Sequence, residues 1–324
     1  MNFLSPKKQS SMAIVGSLVI TLGLELTAGA NTFNPAPLFS KAANYSTKIP
    51  RSGGDADAAD IYYPVVPKTN KTTLPIALLL QGALVDKSDY SKFANTVARY
   101  GFVVVIPNHT RTAKSPRRTV TGLLSEELQI NDVLAYMQSE NSRSASPIAN
   151  QLDPKTLVLL GHSFGGAVGI AAIQGKCFAI FCTKDFSRPD ELKAGVFYGA
   201  NFLMGQNSKD IPVIENDGVP IALVQGNLDG VAKPSSAQIT YEKIQDHLKA
   251  LITVVGANHY GITNADNSKR EPNRPTLEQE VSIETIARWS ALFLRATALK
   301  DKQAFDYVFN SGDALDPNVK REEP

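Results

Sequence analysis

The sequence predicts an α/β fold: a mostly parallel, doubly wound sheet with helices on both faces. Short, nearly continuous apolar runs at 74–80, 102–106, 157–160, 194–198, 221–225 and 251–255 read as strands buried on both faces. Stretches with helical apolar spacing fall between them, the alternation expected of βαβ units. Crossovers of that kind are right-handed, which distributes the helices over both faces of the sheet.

The elements follow in order. Lys7 and Lys8 precede an apolar run over 12–24, and Ala28-Gly29-Ala30 follows it. These are the parts of a secretory signal over 1–30, which predicts a protein exported to the periplasm or the exterior. Glu25 near the end of the run argues against a stable span; an uncleaved anchor is the alternative. Residues 31–57, rich in Asn, Pro, Ser, Gly and Asp, are expected as an extended N-terminal arm with little regular structure. The domain proper is expected over 58–310, with 311–324 as a C-terminal tail.

Within it, 59–65 reads as an early strand ended by Pro64 and Pro67. After the strand at 74–80, Asp89 is placed to cap a helix. Phe93, Val97 and Tyr100 give that helix one buried face, and Gly101 closes it. The strand at 102–106 stops at Pro107. Residues 108–120 carry Arg111, Lys114, Arg117 and Arg118 and are expected as a solvated loop. Ile130, Val133, Leu134 and Met137 mark an amphipathic helix over 123–138. Residues 139–155 read as a connecting loop, and 201–220 as a polar loop placed to cover a site. Helices are expected at 235–248 and at 283–299, the latter with Ile286, Trp289 and Phe293 on one face.

Composition excludes several classes. With 43% hydrophobic and 20% charged residues the 324-residue chain is globular in type, and no internal repeat or linker divides it. A net charge of +2 gives no electrostatic reason to expect nucleic acid as a partner. No run is long and apolar enough for a stable membrane span. Oligomeric state is not legible. Cys177 and Cys182, with four residues between them, suit a disulfide in an oxidising compartment, two buried thiols being the alternative. No cluster with metal-ligand spacing accompanies them, so neither metal nor cofactor is expected.

The chemistry gathers at one stretch. Residues 157–160 run into Gly161-His162-Ser163-Phe164-Gly165 and then into a small-residue helix beginning Gly166-Ala167. That is G-x-S-x-G between a strand and a helix, where a tight turn lifts a serine hydroxyl clear of the sheet. Ser163 is therefore the expected nucleophile. A serine hydroxyl is barely ionised at neutral pH and needs a base. Of the four histidines, His162 should turn its side chain away from the elbow, and His247 reads as a surface residue in the 235–248 helix. His109 lies near the carboxyl edge as a supporting or pocket residue. His259 follows the last strand, at the edge where open α/β sheets place their sites, and is the expected base. Asp229, just past the 221–225 strand, is expected to orient it. Asp217 precedes that strand and should lie at the opposite edge. An oxyanion hole needs two backbone N–H groups. Phe164 should supply one, and the loop after 74–80 the other, with Ala83 chosen and Leu84 its open alternative. Leu84, Phe164 and Tyr260 are expected to wall an apolar substrate pocket.

Together the pieces DIYYP, LLQGALVDKSDYSKFANTVARYGFVVVIPNH, GHSFGG, QGNLDGVAKP and GANHYGITN resemble the α/β-hydrolase superfamily over roughly residues 59–263. Within it they resemble the dienelactone hydrolase-like group, which includes platelet-activating-factor acetylhydrolases, chlorophyllases and cutinase-like polyester hydrolases. The order Ser163, Asp229, His259 is the order of that superfamily. The resemblance implies hydrolysis of small-molecule or polymeric carboxylic esters, without cofactor or metal. Two positions depart from it: Gln81 stands where many relatives have His, and Phe164 where others have Met or Arg. The same triad serves acyltransferases and thioesterases, and the fold also occurs as a non-catalytic binding module. Completeness of the triad separates an enzyme from the last of these.

Overall fold

Leu74–Leu80 is buried at all seven positions in the computed structural model, and it lies in the middle of the sheet. The structure describes residues 35–66, 72–114, 119–182, 186–202 and 211–322, all within one compact unit, Phe33–Pro324. The expected export signal over 1–30 lies outside these residues. So do Arg117 and Arg118, and residues 203–210 of the loop expected over the site.

Strand β1 (Ala42–Pro50) turns into β2 (Ala56–Pro64), followed by β3 (Leu74–Leu80) and helix α1 (Ser91–Arg99). Next come β4 (Val103–Asn108), the hairpin β5 (Thr110–Lys114) and β6 (Thr119–Leu123), and α2 (Leu128–Ser142). Strand β7 (Leu152–His162) leads into α3 (Phe164–Ile173). After it stand β8 (Leu192–Tyr198), β9 (Ile221–Gly226), α4 (Pro234–Lys243) and β10 (Lys249–Val254). The long α5 (Gln279–Ala298), the short α6 (Lys302–Asp306) and α7 (Gly312–Leu315), and β11 (Val319–Arg321) close the chain.

Nine of these strands form one sheet in the order β1-β2-β4-β3-β7-β8-β9-β10-β11. The six from β4 to β10 are parallel, while β1, β2 and β11 join antiparallel at the two sides. Side chains alternate along a strand, so β3 sends Ala77 and Leu79 to one face and Ile76, Leu78 and Leu80 to the other. The first face packs Phe93 and Val97 of α1 and Ile286, Trp289 and Phe293 of α5. The second packs Ile130, Val133 and Met137 of α2, Val168 and Ile170 of α3, and Tyr241 of α4. This is the α/β-hydrolase fold, with helices on both faces of a mostly parallel sheet.

Several sequence expectations need correction. Residues 31–57 are not a loose arm: β1 pairs with β2 from Ala42↔Pro64 to Pro50↔Ala56. As an edge strand β1 alternates, with Ala43, Tyr45, Thr47 and Ile49 turned inward and Asn44, Ser46 and Lys48 exposed, and that polar outer face hides it in composition. Residues 108–120 likewise hold most of the two-stranded β5–β6 hairpin, joined by a Thr112–Thr121 hydroxyl bond at 2.8 Å. The 311–324 tail contains α7 and β11. Asp316 is fully buried there, accepting from Arg288 at 2.9 Å and Trp289 at 2.8 Å, and Val319 pairs with Val254. Asp89 caps no helix; Asp86 caps the preceding 3-10 turn, Lys87–Tyr90. Gly101 does close α1, at φ 105°, where a side chain would be strained. Helix α4 stops at Lys243, which leaves His247 exposed beyond it.

Candidate active site

Strand β7 ends at His162, and the chain reverses into α3 through Ser163, whose backbone sits at φ 52° and ψ −118°. A non-glycine residue rarely adopts positive φ, and such strain collects at functional positions. Two glycines permit the reversal. A Cβ on Gly161 would lie 2.7 Å from Gly166 Cα. One on Gly165 would lie 2.2 Å from the Leu80 carbonyl oxygen, so α3 packs directly on the end of β3. The Ser163 amide donates to Tyr198 O at 2.9 Å, tying the elbow to β8.

The parallel neighbours β9 and β10 deliver the other two groups at the same edge. Ser163 Oγ lies 2.9 Å from His259 Nε2, and His259 Nδ1 lies 2.8 Å from Asp229 Oδ2. With Asp229 as acceptor, Nδ1 carries the proton and Nε2 is free to accept the serine proton. His259 and Asp229 are each only 2% exposed. Four bonds hold the Asp229 carboxylate: amides of Val231 and Ala232 on Oδ1, and Gln225 Nε2 and His259 on Oδ2. Asp217 stands at the far end of β9, exposed and paired with Arg188 at 2.9 Å.

The loop after β3 separates its three amides. Gly82 donates to Tyr90 Oη at 2.9 Å and Leu84 donates to Leu123 O at 2.7 Å. Ala83 N–H has no acceptor among the described residues. Phe164 opens α3, so its amide has no intrahelical acceptor either. Two donors beside the elbow are thus available to an incoming oxygen, and Leu84 N–H is not one of them.

Other side chains differ from expectation. Tyr260 is 3% exposed and packs edge-on to His259 at 5.4 Å between ring centres, so it offers almost no surface for a substrate to touch. It is a core residue under the base. Leu84 is 51% exposed, at φ 59°, and Phe164 is half-buried with its ring 5.5 Å from Phe181. Arg111 is not simply solvated. Its guanidinium donates to the carbonyls of Leu124, Ser125 and Ile180 and lies 5.8 Å over the Phe164 ring. His109 is buried between Asp57 at 2.7 Å and Glu126 at 2.9 Å. Burial alone would lower its pKa, but these two hydrogen bonds outweigh that and raise it. His162 points into the core, fully buried.

Cys177 and Cys182 form a disulfide with Cα atoms 5.2 Å apart. Their loop carries Phe178 and Phe181 against Phe202, at 5.2 and 6.0 Å between ring centres. Beneath it Glu127 is buried, and burial together with the Glu126 charge pushes its pKa up to about 8. Glu127 and the two sulfurs lie within 4.8 Å of one another, but the disulfide uses the sulfurs. No helix among the described residues is long and apolar enough to cross a membrane.

Sequence reading missed Glu271, which is 3% exposed and accepts from the amides of His259, Gly230 and Asn273. Nothing in Lys-Arg-Glu-Pro marks it, because its partners are main-chain groups of distant loops. Gln225 reads in sequence only as the end of a strand, yet its Nε2 donates to Asp229 Oδ2 at 3.1 Å.

The mostly parallel sheet with helices on both faces fits an α/β-hydrolase fold. Residues 39–181 match the family model described as PET hydrolase-like. Over 219 residues the chain is 28% identical to the cutinase est1 of Thermobifida alba, covering 66% of this chain and 62% of that protein. The match therefore spans less than two thirds of that relative's length.

Proposed function

We propose that the protein is an exported serine hydrolase of carboxylic esters, polymeric esters among them. One observation carries the reading: the unbroken chain Ser163 Oγ, His259, Asp229, at 2.9 and 2.8 Å, beside two amides with no acceptor among the described residues. Likeness to a PET hydrolase-like model and to a cutinase supports the ester class. Leu84 and Val231, 51% and 48% exposed, give the oxyanion loop and the acid loop apolar tips that suit a polyester chain. The Cys177–Cys182 disulfide supports export, since such bonds persist in oxidising compartments.

In this mechanism Ser163 Oγ attacks the ester carbonyl carbon while its proton passes to His259 Nε2. The carbonyl electron pair moves onto oxygen, where the Ala83 and Phe164 amides meet it; one such donor is worth about 2.7–4 kcal/mol of barrier. Asp229, buried beside Nδ1, stabilises the imidazolium. His259 then protonates the departing alcohol. Water, deprotonated by His259, attacks the acyl-enzyme and releases the acid and Ser163. A fluorophosphonate probe and a series of p-nitrophenyl esters of rising acyl length, with a polyester film alongside, test the proposal. Labelling and ester turnover are expected; a protein that is labelled but transfers acyl groups only to added thiols or alcohols would redirect it.

A further inference from the structure

We infer that Tyr90 and His162 form a buried strut that sets the distance between the oxyanion loop and the catalytic base. The inference rests on the ester-hydrolase reading of the same site. Tyr90 and His162 are each fully buried. Tyr90 Oη accepts the Gly82 amide at 2.9 Å and lies 2.9 Å from His162 Nδ1, and His162 Nε2 lies 3.0 Å from the His259 carbonyl oxygen.

With a neutral imidazole, one proton arrangement satisfies the whole chain. Gly82 N–H can only donate and His259 C=O can only accept. The tyrosine hydroxyl therefore donates to Nδ1, and Nε2 carries the ring proton that reaches His259. The ring is neutral because burial, followed by the nearby His259, holds its pKa well below the ordinary value. That neutrality matters because the two imidazole rings are 4.8 Å apart. A charged His162 would oppose the imidazolium that His259 must become.

The chain passes within one residue of Ala83, Ser163 and His259. Gly82 precedes Ala83, His162 precedes Ser163, and the last acceptor is the carbonyl of His259 itself. A core could be filled at this point with apolar side chains at less desolvation cost. The strut instead crosses from the end of β3, through the elbow, to the loop after β10. The approach is close enough to require glycine at position 82, where a Cβ would lie 2.7 Å from His162 Nδ1. Tyr90 and His162 are positioning residues, acting through Ala83 N–H and His259 without touching substrate.

Tyr90→Phe removes one oxygen and keeps the ring. Hydrolysis of p-nitrophenyl butyrate is measured together with inhibition by an alkylboronic acid, whose tetrahedral adduct on Ser163 places an oxygen in the oxyanion hole. The strut predicts kcat lower by at least about tenfold, a fraction of what losing a donor outright costs. KM should stay within about twofold and the boronate Ki rise by the factor lost in kcat/KM. His162→Gln should also lower kcat, and the double variant should lose less than the sum, because both break one chain. If Tyr90→Phe does not fold, the same split is read on His162→Gln. Unchanged kcat and Ki in a folded variant, a loss confined to KM, or additive losses would overturn the inference. An active wild type with an indifferent variant sinks the strut alone. A wild type that neither labels nor turns over sinks the hydrolase reading as well.

Discussion

The main-chain amide of His259 donates to Glu271 Oε2 at 3.1 Å, and the same carboxylate accepts from Gly230 N at 3.1 Å. Gly230 follows Asp229 directly, so one buried side chain clamps the acid loop to the base loop. Glu271→Gln replaces one acceptor oxygen with a donor that faces main-chain N–H groups. Unfolding in urea should show a loss of about 1–3 kcal/mol, the usual cost of a buried polar group left without its partner. The kcat/KM for a short-chain ester should fall several-fold. An unchanged midpoint would mean that the loops hold their geometry without it.

The two carboxylates flanking β9 give a sharper contrast. Asp229→Asn keeps size and shape but removes the charge beside the imidazolium; in serine proteases that change costs on the order of 10⁴ in turnover. Here kcat/KM should fall at least about 10²-fold. Asp217→Asn, at the exposed far end, should change it by less than about threefold. Circular dichroism confirms that both variants are folded.

Stability should decline toward alkaline pH. Glu127 keeps its proton in the fold to about pH 8, while the unfolded chain loses it near the ordinary carboxyl value of 4.5. The native state therefore binds the extra proton across that window, and unfolding free energy falls as pH rises through it. His109, raised by Asp57 and Glu126, acts in the same direction: its contribution is whole below 6.5 and fades as pH climbs through the raised value. Thermal melts at pH 5, 7 and 9 should show a falling midpoint, with a shallower slope in Glu127→Gln. A midpoint that rises with pH would contradict both assignments.

The disulfide closes a loop of only a few residues, so chain entropy limits its contribution to roughly 2 kcal/mol. Cys177→Ser with Cys182→Ser should lower the unfolding free energy by about that amount. Alkylation without reductant should leave the wild-type mass unchanged; two added alkyl groups would show free thiols.

Much of this architecture was legible because its signals are local. Leu74–Leu80 is buried on both faces, so its apolar run has no polar alternation to confuse it. The Gly-rich elbow announced itself because Gly161 and Gly165 pack against backbone, where no side chain fits. Asp229 and His259 are legible as a pair because parallel strands deliver their following loops to one edge. What sequence hid depends on long-range pairing. The edge strand β1 and the β5–β6 hairpin are polar on their outer faces. Asp316 anchors the C-terminal segment through Arg288 and Trp289, 28 and 27 residues away. Tyr260 reads as a pocket aromatic beside His259, but its side chain turns into the core, a direction that depends on packing and not on spacing.

The central claim is that ester hydrolysis passes through Ser163 Oγ. Ser163→Ala removes a single oxygen from a half-buried position and should leave the fold intact. Turnover of p-nitrophenyl butyrate by the folded variant is the most direct measurement. A drop in kcat of about 10³-fold or more, toward the residual rate left by the oxyanion donors and binding alone, is the predicted result. A folded Ser163→Ala protein that retains kcat within about tenfold of the wild type would contradict the account.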